Sequence, residues 1–223
     1  MTTAAPSLVP IFATPFAVAS ISGPTDVNAA LATLILSRAT EEYRDPSALR
    51  DPLFFRSRED LFEWDSEAVA QLRWGMLGAV SGAVMAANCY PAAEFDAMEV
   101  QARARFAIVR PNGGMPGTTA PMASWCAVYC IAAPPPTPTR ADSAALRLYA
   151  VRHASMFLDA TNCQLRAPFS VTHYVWRPVP GQMAVFPASI LHEVALNRAA
   201  EDLLLVTARV RFAHRDQQAQ PPW

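Results

Sequence analysis

The stretch PGQMAVFPASILHEV, residues 180–194, carries the strongest fold signal in the chain. A glycine turn leads into a short apolar strand that stops at Pro187, and His192 follows five residues later. In jelly-roll barrels a histidine in this position points into the barrel mouth, where its imidazole can bind a transition metal. The pattern predicts a mainly β fold, a double-stranded β-helix of the jelly-roll or cupin-like type. This pattern identifies the barrel fold more specifically than it identifies a reaction.

The N-terminal part of the chain is predicted to support this barrel with flanking helices. Residues 8–19 indicate an edge strand, because proline is tolerated where no backbone donor is needed. A capped helix is expected over 24–43, a polar loop over 44–63 and a second helix over 65–87. The second helix has one apolar side, formed by Val69, Leu72, Met76 and Val80.

The periodicity changes to that of strands after residue 98. The expected strands lie at 100–109, 125–132, 145–151, 170–176, 183–187 and 203–212, with a long turn at 111–117 and a proline-rich loop at 133–140. Two helices followed by short strands indicate a barrel with helices on one face.

The chain length of 223 residues suits one such domain. We expect this single domain to occupy residues 1–215. Its N-terminal strand and two helices would lie within 8–90 and its barrel strands within 98–212. Residues 216–223 are expected to form a flexible tail.

Composition and charge exclude several classes of function. The net charge is −1, so nothing predicts a nucleic-acid partner or an anionic membrane. All 18 basic residues are arginine. Codon bias explains this as well as any physical cause does, but without lysine the chain has no Schiff base, lysine general base or P-loop lysine.

The cysteines and the N-terminus predict a reduced, cytoplasmic protein. Four cysteines in a chain of this length do not make a disulfide framework. Cys126 and Cys130 share one face of a predicted strand, which favours small buried hydrophobes over a zinc pair. Residues 1–20 lack the basic region of a signal peptide, and the apolar stretch at 76–90 is too short to span a bilayer.

The sequence resembles the iron- and 2-oxoglutarate-dependent oxygenases, in particular their small and mostly uncharacterised members. Residues 181–194 carry the most specific match: a glycine, an apolar strand ending in Phe-Pro, and then a histidine. Weaker matches in the same order are FATPF at 12–16, SWCAVY at 124–129 with Pro134 after it, and LRLYAVR at 146–152. The resemblance implies the same barrel, a ferrous centre and 2-oxoglutarate as co-substrate.

The metal ligands that the resemblance implies are mostly missing. Such an oxygenase holds iron with a facial triad, usually two histidines and a carboxylate. The family takes its first ligands from a histidine-containing motif just before the strand that begins here at Ser124. This chain has GTTAPMA at 117–123, without a histidine or an acid. Of the ligands that the resemblance implies, only His192 remains as a candidate. The alternative for His192 is a hydrogen-bonded structural role. His153 and His173 could join it in a rebuilt triad that the family does not have.

The co-substrate anchor is also missing. The resemblance implies an arginine about ten residues beyond the distal histidine, at the start of the last strand. Asp202 stands there, and its charge would repel the far carboxylate of 2-oxoglutarate. Arg152, Arg209 and Arg211 are the remaining candidates for binding an anion, and for each a solvated or surface-paired role is the alternative.

Two further residues complete the expected substrate-binding set, which comprises Arg152, Thr119, Tyr129 and Arg209. We also expect Thr118, Thr119 and His192 to face the same cavity, since ligands of one metal must lie within a few ångströms of each other.

The sequence supports two functional hypotheses. In the first, the protein is a diverged member that kept the barrel and lost iron. It would then be a metal-independent enzyme, a protein that binds a small molecule in the barrel mouth, or a subunit of a homodimer or complex, with no cofactor. The alternative is an active hydroxylase-type oxidoreductase that uses Fe(II) and 2-oxoglutarate at a non-standard metal site centred on His192.

Overall fold

The structure is a computed structural model, and it describes residues 10–21, 24–136, 140–150, 165, 168–169 and 172–214. The strands in this part of the chain are β1 (Ala17–Ser20), β2 (Phe54–Arg56), β3 (Glu99–Val109), β4 (Met115–Thr118), β5 (Trp125–Ala132), β6 (Leu146–Tyr149), β7 (His173–Trp176), β8 (Gln182–Pro187), β9 (His192–Val194) and β10 (Leu203–Ala213). The helices are α1 (Pro24–Ser37), α2 (Glu67–Ala87) and α3 (Ala92–Asp96), with a 3-10 turn at Leu61–Glu63.

These strands form two antiparallel sheets. The larger sheet has the order β1-β8-β5-β10-β3-β2, and the smaller has the order β4-β9-β6-β7. Strands that follow each other in the chain repeatedly change sheet, as in a jelly roll. The predicted double-stranded β-helix is confirmed.

Side-chain alternation along β10 divides the core into two layers. Leu203 and Leu205 belong to the layer between the two sheets, whereas Leu204 and Val206 belong to the layer between the larger sheet and the helices. This is the period of two that a strand imposes on its side chains. Odd-numbered positions of β10 therefore face the inside of the barrel.

The two cysteines of β5 lie in the layer between the sheets. Cys126 and Cys130 are fully buried there, and burial raises the pKa of each thiol to about 12. Both are packed as small hydrophobic residues.

The helices cover the outer face of the larger sheet. The predicted apolar side of α2 is confirmed, since Val69, Leu72, Met76 and Val80 are all buried. On α1, Leu31 and Ile35 are buried in the same layer.

Helix α1 is shorter than predicted and ends at Ser37 rather than near Tyr43. The next residue, Arg38, lies with its guanidinium carbon 4.3 Å from the centre of the Trp64 ring. This cation–π contact accompanies a turn of the chain back towards the sheet.

The segment predicted as a loop over 44–63 contains β2. Phe54 and Phe55 pair with Val109 and Ile108 of β3, so this short strand is an edge strand of the larger sheet. Its apolar pair is too short for a periodic signal, and its pairing depends on a strand about fifty residues away.

Two further differences concern the smaller sheet. Strand β4 begins inside the turn predicted at 111–117, and it pairs with β9, which holds His192. His192 is thus part of a strand and not of a connection. The predicted strand residues before 10, the candidates Arg152 and His153, and the tail at 216–223 lie outside the described residues. Within the described ranges, no helix is both long enough and apolar enough to cross a bilayer.

Candidate functional site

His192 lies inside the barrel as a buried, neutral imidazole. Its side chain is almost completely buried, its Nδ1 donates a hydrogen bond to the carbonyl of Ile190 at 3.0 Å, and its ring packs edge-on against Phe186 at 5.1 Å. Burial lowers the pKa of His192 below its ordinary value, and the positive charge of Arg105 lowers it further. Burial therefore favours the uncharged form of this imidazole.

Thr118 lies directly opposite His192 in the β4–β9 pair. Opposed residues of an antiparallel pair point to the same side of the sheet. The expectation that Thr118, Thr119 and His192 face the same cavity holds only in part. Thr118 and Thr119 line a cleft in the barrel mouth, whereas His192 is buried beside Thr118 and is not among the residues that line it.

The described side chains around His192 do not form a ligand set for ferrous iron. Among the residues that the structure describes, no three His, Cys, Asp or Glu side chains are grouped closely enough to hold a metal. The threonine opposite His192 is neutral, and the charged side chain that acts on its pKa is Arg105, a cation. Ferrous iron in this fold class requires imidazole and carboxylate ligands on one side of the ion.

The second histidine candidate on the described chain does not approach His192. His173 is exposed on β7, where it is paired with Tyr149 of β6. His192 is paired with Leu148, the neighbouring position of β6. Neighbouring positions of a strand point to opposite faces, so His173 lies on the outer face of the smaller sheet.

The cleft in the barrel mouth (the mouth cleft) has a volume of about 460 Å³. Five arginines and two carboxylates contribute to its walls, which include Asp45, Arg56, Glu59, Arg105, Thr119 and Arg209. Arg105 shares the barrel-facing side of β3 with Ala107 and Val109, which lie in the layer between the sheets. Arg209 occupies an odd, barrel-facing position of β10. The segment around β2 closes the cleft from the side.

Three arginines of the mouth cleft share two carboxylates. Asp45 lies 3.0 Å from Arg56 and 3.6 Å from Arg105. Glu59 lies 3.5 Å from Arg105 and also forms an ion pair with Arg209. Burial opposes ionisation of Asp45, but hydrogen bonds from Ser47 and the charges of Arg56 and Arg105 keep the pKa of its carboxyl below the ordinary value.

Arg105 takes part in this network through two long ion pairs. Its side chain is only 16% exposed, and both of its ion pairs are long for a charge-assisted hydrogen bond, which is normally about 2.8 Å. Burial lowers the pKa of Arg105, although the carboxylates of Glu59 and Asp45 counteract that effect. A guanidinium has five N–H donors, and Arg105 makes no hydrogen bond to any residue that the structure describes.

Only some of the predicted substrate-binding residues lie in the mouth cleft. Thr119 and Arg209 line the mouth cleft, and Arg209 also donates a hydrogen bond to the carbonyl of Pro121 at 3.1 Å. The expectation for Tyr129 needs correction. Its side chain points to the helix layer, where its hydroxyl donates a hydrogen bond to Asn28 at 2.6 Å, because even and odd positions of β5 face opposite sides of the sheet.

The remaining candidates take no part in the mouth cleft as described. Arg211 donates from its Nε to the side chain of Gln101 at 2.8 Å, next to the cleft and not in its wall. Arg152 lies outside the described residues. Sequence reasoning missed Arg56, Glu59 and Arg105, although the alternating QARARF at 101–106 carries a signal for an arginine-lined strand face.

Known proteins resemble this chain in structure. No protein-family model and no curated protein matches the sequence. A prolyl-4-hydroxylase from Pseudomonas putida has a TM-score of 0.58 at 20% identity, over 89% of this chain and 93% of its own. SnoK, a non-heme α-ketoglutarate-dependent carbocyclase from nogalamycin biosynthesis, has a TM-score of 0.60 at 7% identity, over 88% and 79%. A 2OG-Fe(II) oxygenase-family oxidoreductase from Burkholderia pseudomallei has a TM-score of 0.51 at 12% identity, over 88% and 84%.

At these identities the likenesses establish the fold and not the activity. The chain has the double-stranded β-helix fold of the iron- and 2-oxoglutarate-dependent oxygenases.

Proposed function

We propose that this protein binds a small molecule in the mouth cleft without iron, as a diverged member of the oxygenase-like fold. The observation that carries the proposal is the chemistry of the barrel mouth. Where the resemblance implies the first metal ligands, the chain has threonine hydroxyls, and the charge that lowers the pKa of the buried His192 is the guanidinium of Arg105.

Electrostatics supports this proposal. A divalent ion and a guanidinium about 6 Å apart repel each other by roughly 5 kcal/mol at an effective dielectric constant of 20. Two carboxylates near Arg105 reduce that repulsion, but Asp45 and Glu59 already form ion pairs with arginines. Neither is available to a metal without leaving a guanidinium unpaired.

The interior of the barrel also supports the proposal that the protein works without iron. Asp202 precedes β10, and the barrel-facing positions that come after it are Leu203 and Leu205, both fully buried. An apolar layer offers no partner for the far carboxylate of 2-oxoglutarate. The mouth cleft, in contrast, is concave and polar and has the size of a small-molecule site.

The test combines a metal analysis with an activity assay. Protein purified without chelator would be analysed for iron and other transition metals, and its oxygen consumption would be measured with and without 2-oxoglutarate. We expect no stoichiometric metal and no dependence of oxygen consumption on 2-oxoglutarate. One iron per chain that is lost in His192→Ala would overturn the proposal in favour of a hydroxylase-type enzyme with a metal site at His192.

A further inference from the structure

We propose that the ligand of the mouth cleft is a small oxyanion, a carboxylate or a phosphate, whose oxygens accept hydrogen bonds from Arg105. This inference rests on the proposed function, because it assigns a chemical class to the ligand of the same site. It is distinct from that function, because a cleft of this size would also hold a neutral molecule.

The hydrogen-bonding state of Arg105 favours an oxyanion. Its guanidinium is largely removed from water, yet its two carboxylate neighbours lie at 3.5 and 3.6 Å. A desolvated guanidinium normally gains charge-assisted hydrogen bonds in exchange for its hydration. An oxyanion in the mouth cleft supplies acceptors for these donors, and a neutral amide or a cation does so poorly or not at all.

The local charge also favours an anion. Arg56, Arg105 and Arg209 form ion pairs with Asp45 and Glu59, and these five side chains together carry one positive charge. Two more arginines, Arg58 and Arg103, line the same cleft, and Asp60 pairs with Arg58 at 3.5 Å. A ligand with one negative charge would balance the five side chains of the ion-pair network, whereas a cation would add to their positive charge.

The site lies away from the position of the co-substrate anchor that the resemblance implies. That position is Asp202, seven residues before Arg209 along the same strand. Seven residues of extended chain span roughly 23 Å. Leu203 and Leu205 fill the barrel between the two positions. The arginines therefore belong to the open end of the barrel, beside Thr118 and Thr119.

The mouth cleft has room for a small molecule. A volume of about 460 Å³ lies at the lower end of the range for metabolite sites. The hydroxyl of Thr119 lines the same cleft and adds a donor for a second oxygen of the ligand.

Calorimetric titration of the whole protein at low ionic strength tests the inference. The probes are inorganic phosphate, malonate, succinate and 2-oxoglutarate, with malonamide and succinamide as neutral counterparts and 1,4-diaminobutane as a cation. We expect saturable binding of one oxyanion per chain, weakened by added salt, and no binding of the amides or the diamine. The comparison of phosphate with the dicarboxylates identifies which oxyanion the site prefers.

Substitutions locate the binding at Arg105. We expect Arg105→Gln to lower the affinity for the best oxyanion by about 10- to 100-fold, because it removes hydrogen bonds to a charged group. Arg73→Gln, which makes the same change in net charge on the exposed side of α2, serves as the matched control and should leave the affinity unchanged.

Substitution of Glu59 gives a variant that should bind the oxyanion more tightly than wild type does. Glu59 occupies part of the hydrogen-bonding capacity of Arg105 and Arg209, so Glu59→Gln should raise the affinity for the oxyanion by about 3- to 10-fold. Damage to the fold would not produce such a gain. If Arg105→Gln does not fold, the double variant Arg105→Gln/Glu59→Gln removes one charge of each sign and replaces it in the titration.

The outcomes separate this inference from the proposed function. Binding of an amide without binding of any oxyanion would overturn the inference and leave a small-molecule site in place. Oxyanion binding that is equal in wild type and Arg105→Gln would overturn it too. Stoichiometric iron with 2-oxoglutarate turnover would overturn the proposed function itself.

Discussion

At the scale of single residues, His192 is a buried imidazole of β9, and no cluster of three possible metal ligands lies around it among the described residues. Its Nδ1 donates to a backbone carbonyl, and Arg105 is the cation close enough to affect its pKa. A buried imidazole that stays neutral fills space and satisfies one carbonyl. The contribution of His192 to stability then depends on its packing and on its protonation state.

The lowered pKa of His192 predicts acid-sensitive stability. Because burial holds this pKa below the ordinary 6.5, the unfolded chain binds more protons than the folded chain between the two values. Stability should therefore decrease as the pH falls below about 6.5, until the pKa of the folded state is reached. Each tenfold difference in proton affinity is worth about 1.4 kcal/mol. Urea denaturation of wild type and His192→Asn across this range measures the effect.

The expected result is a weaker pH dependence in His192→Asn than in wild type. His173→Gln is the matched control, since His173 is exposed on β7. Equal pH dependence in wild type and His192→Asn would show that His192 becomes protonated in the folded state as easily as in the unfolded chain.

At the scale of elements, the segment around β2 builds one wall of the mouth cleft, and Ser57 attaches it to the sheet. The Ser57 amide donates to the carbonyl of Phe106 at 2.9 Å, and the Phe106 amide donates to the Ser57 hydroxyl at 3.0 Å. Ser57 is fully buried. Arg56 and Glu59, on either side of it, reach the cleft.

Ser57→Ala should lower both stability and ligand affinity. The substitution leaves the buried Phe106 amide without its acceptor, at a cost of about 1–3 kcal/mol in the free energy of unfolding. Urea denaturation measures that loss, and titration with the best oxyanion measures the second effect. Ser37→Ala, at the exposed end of α1, should change stability by less than about 0.5 kcal/mol. If Ser57→Ala is as stable as wild type, its hydroxyl does not hold the segment.

The elements that the sequence predicts well are those with long local periodicity. The apolar side of α2 from Val69 to Val80 and the alternation of β10 each repeat often enough to define an element and its buried face. Strand β2 is too short to show a periodic pattern, and its three residues form a strand by pairing with β3, which is far away in the chain. Non-local pairing of this kind leaves no signal in a local window.

The site was harder to predict than the fold for a related reason. Arginines that alternate with alanine in a strand, as Arg103 and Arg105 do, indicate a solvated face. In the structure this face points into the barrel mouth, and the partner Asp45 comes from a segment sixty residues earlier. The resemblance pointed to His192, Thr118 and Thr119, but the charged residues of the mouth cleft belong to no motif on which the resemblance rests.

At the scale of the whole molecule, the residues of the two core layers and the charged residues of the mouth cleft lie in different parts of the barrel. The layer between helices and larger sheet contains no residue of the mouth cleft, and the layer between the sheets is apolar up to the level of Arg105. The charged network is thus confined to the open end of the barrel. Such an arrangement lets the mouth change its chemistry while the cores keep the fold.

Thermal unfolding of the whole protein should respond to an oxyanion and not to a chelator. A ligand that binds only the folded state at one hundred times its dissociation constant adds about 2.7 kcal/mol of stability, which raises the Tm of a domain of this size by about 5–10 °C. Malonate or phosphate at saturation should produce this shift in wild type and a smaller one in Arg105→Gln. The neutral chelator 1,10-phenanthroline should leave the Tm unchanged, because no metal contributes to folding in the proposed site. A Tm that falls in this chelator and recovers with added iron would mean that the barrel mouth holds a metal after all, and that the arginines around it tolerate the charge.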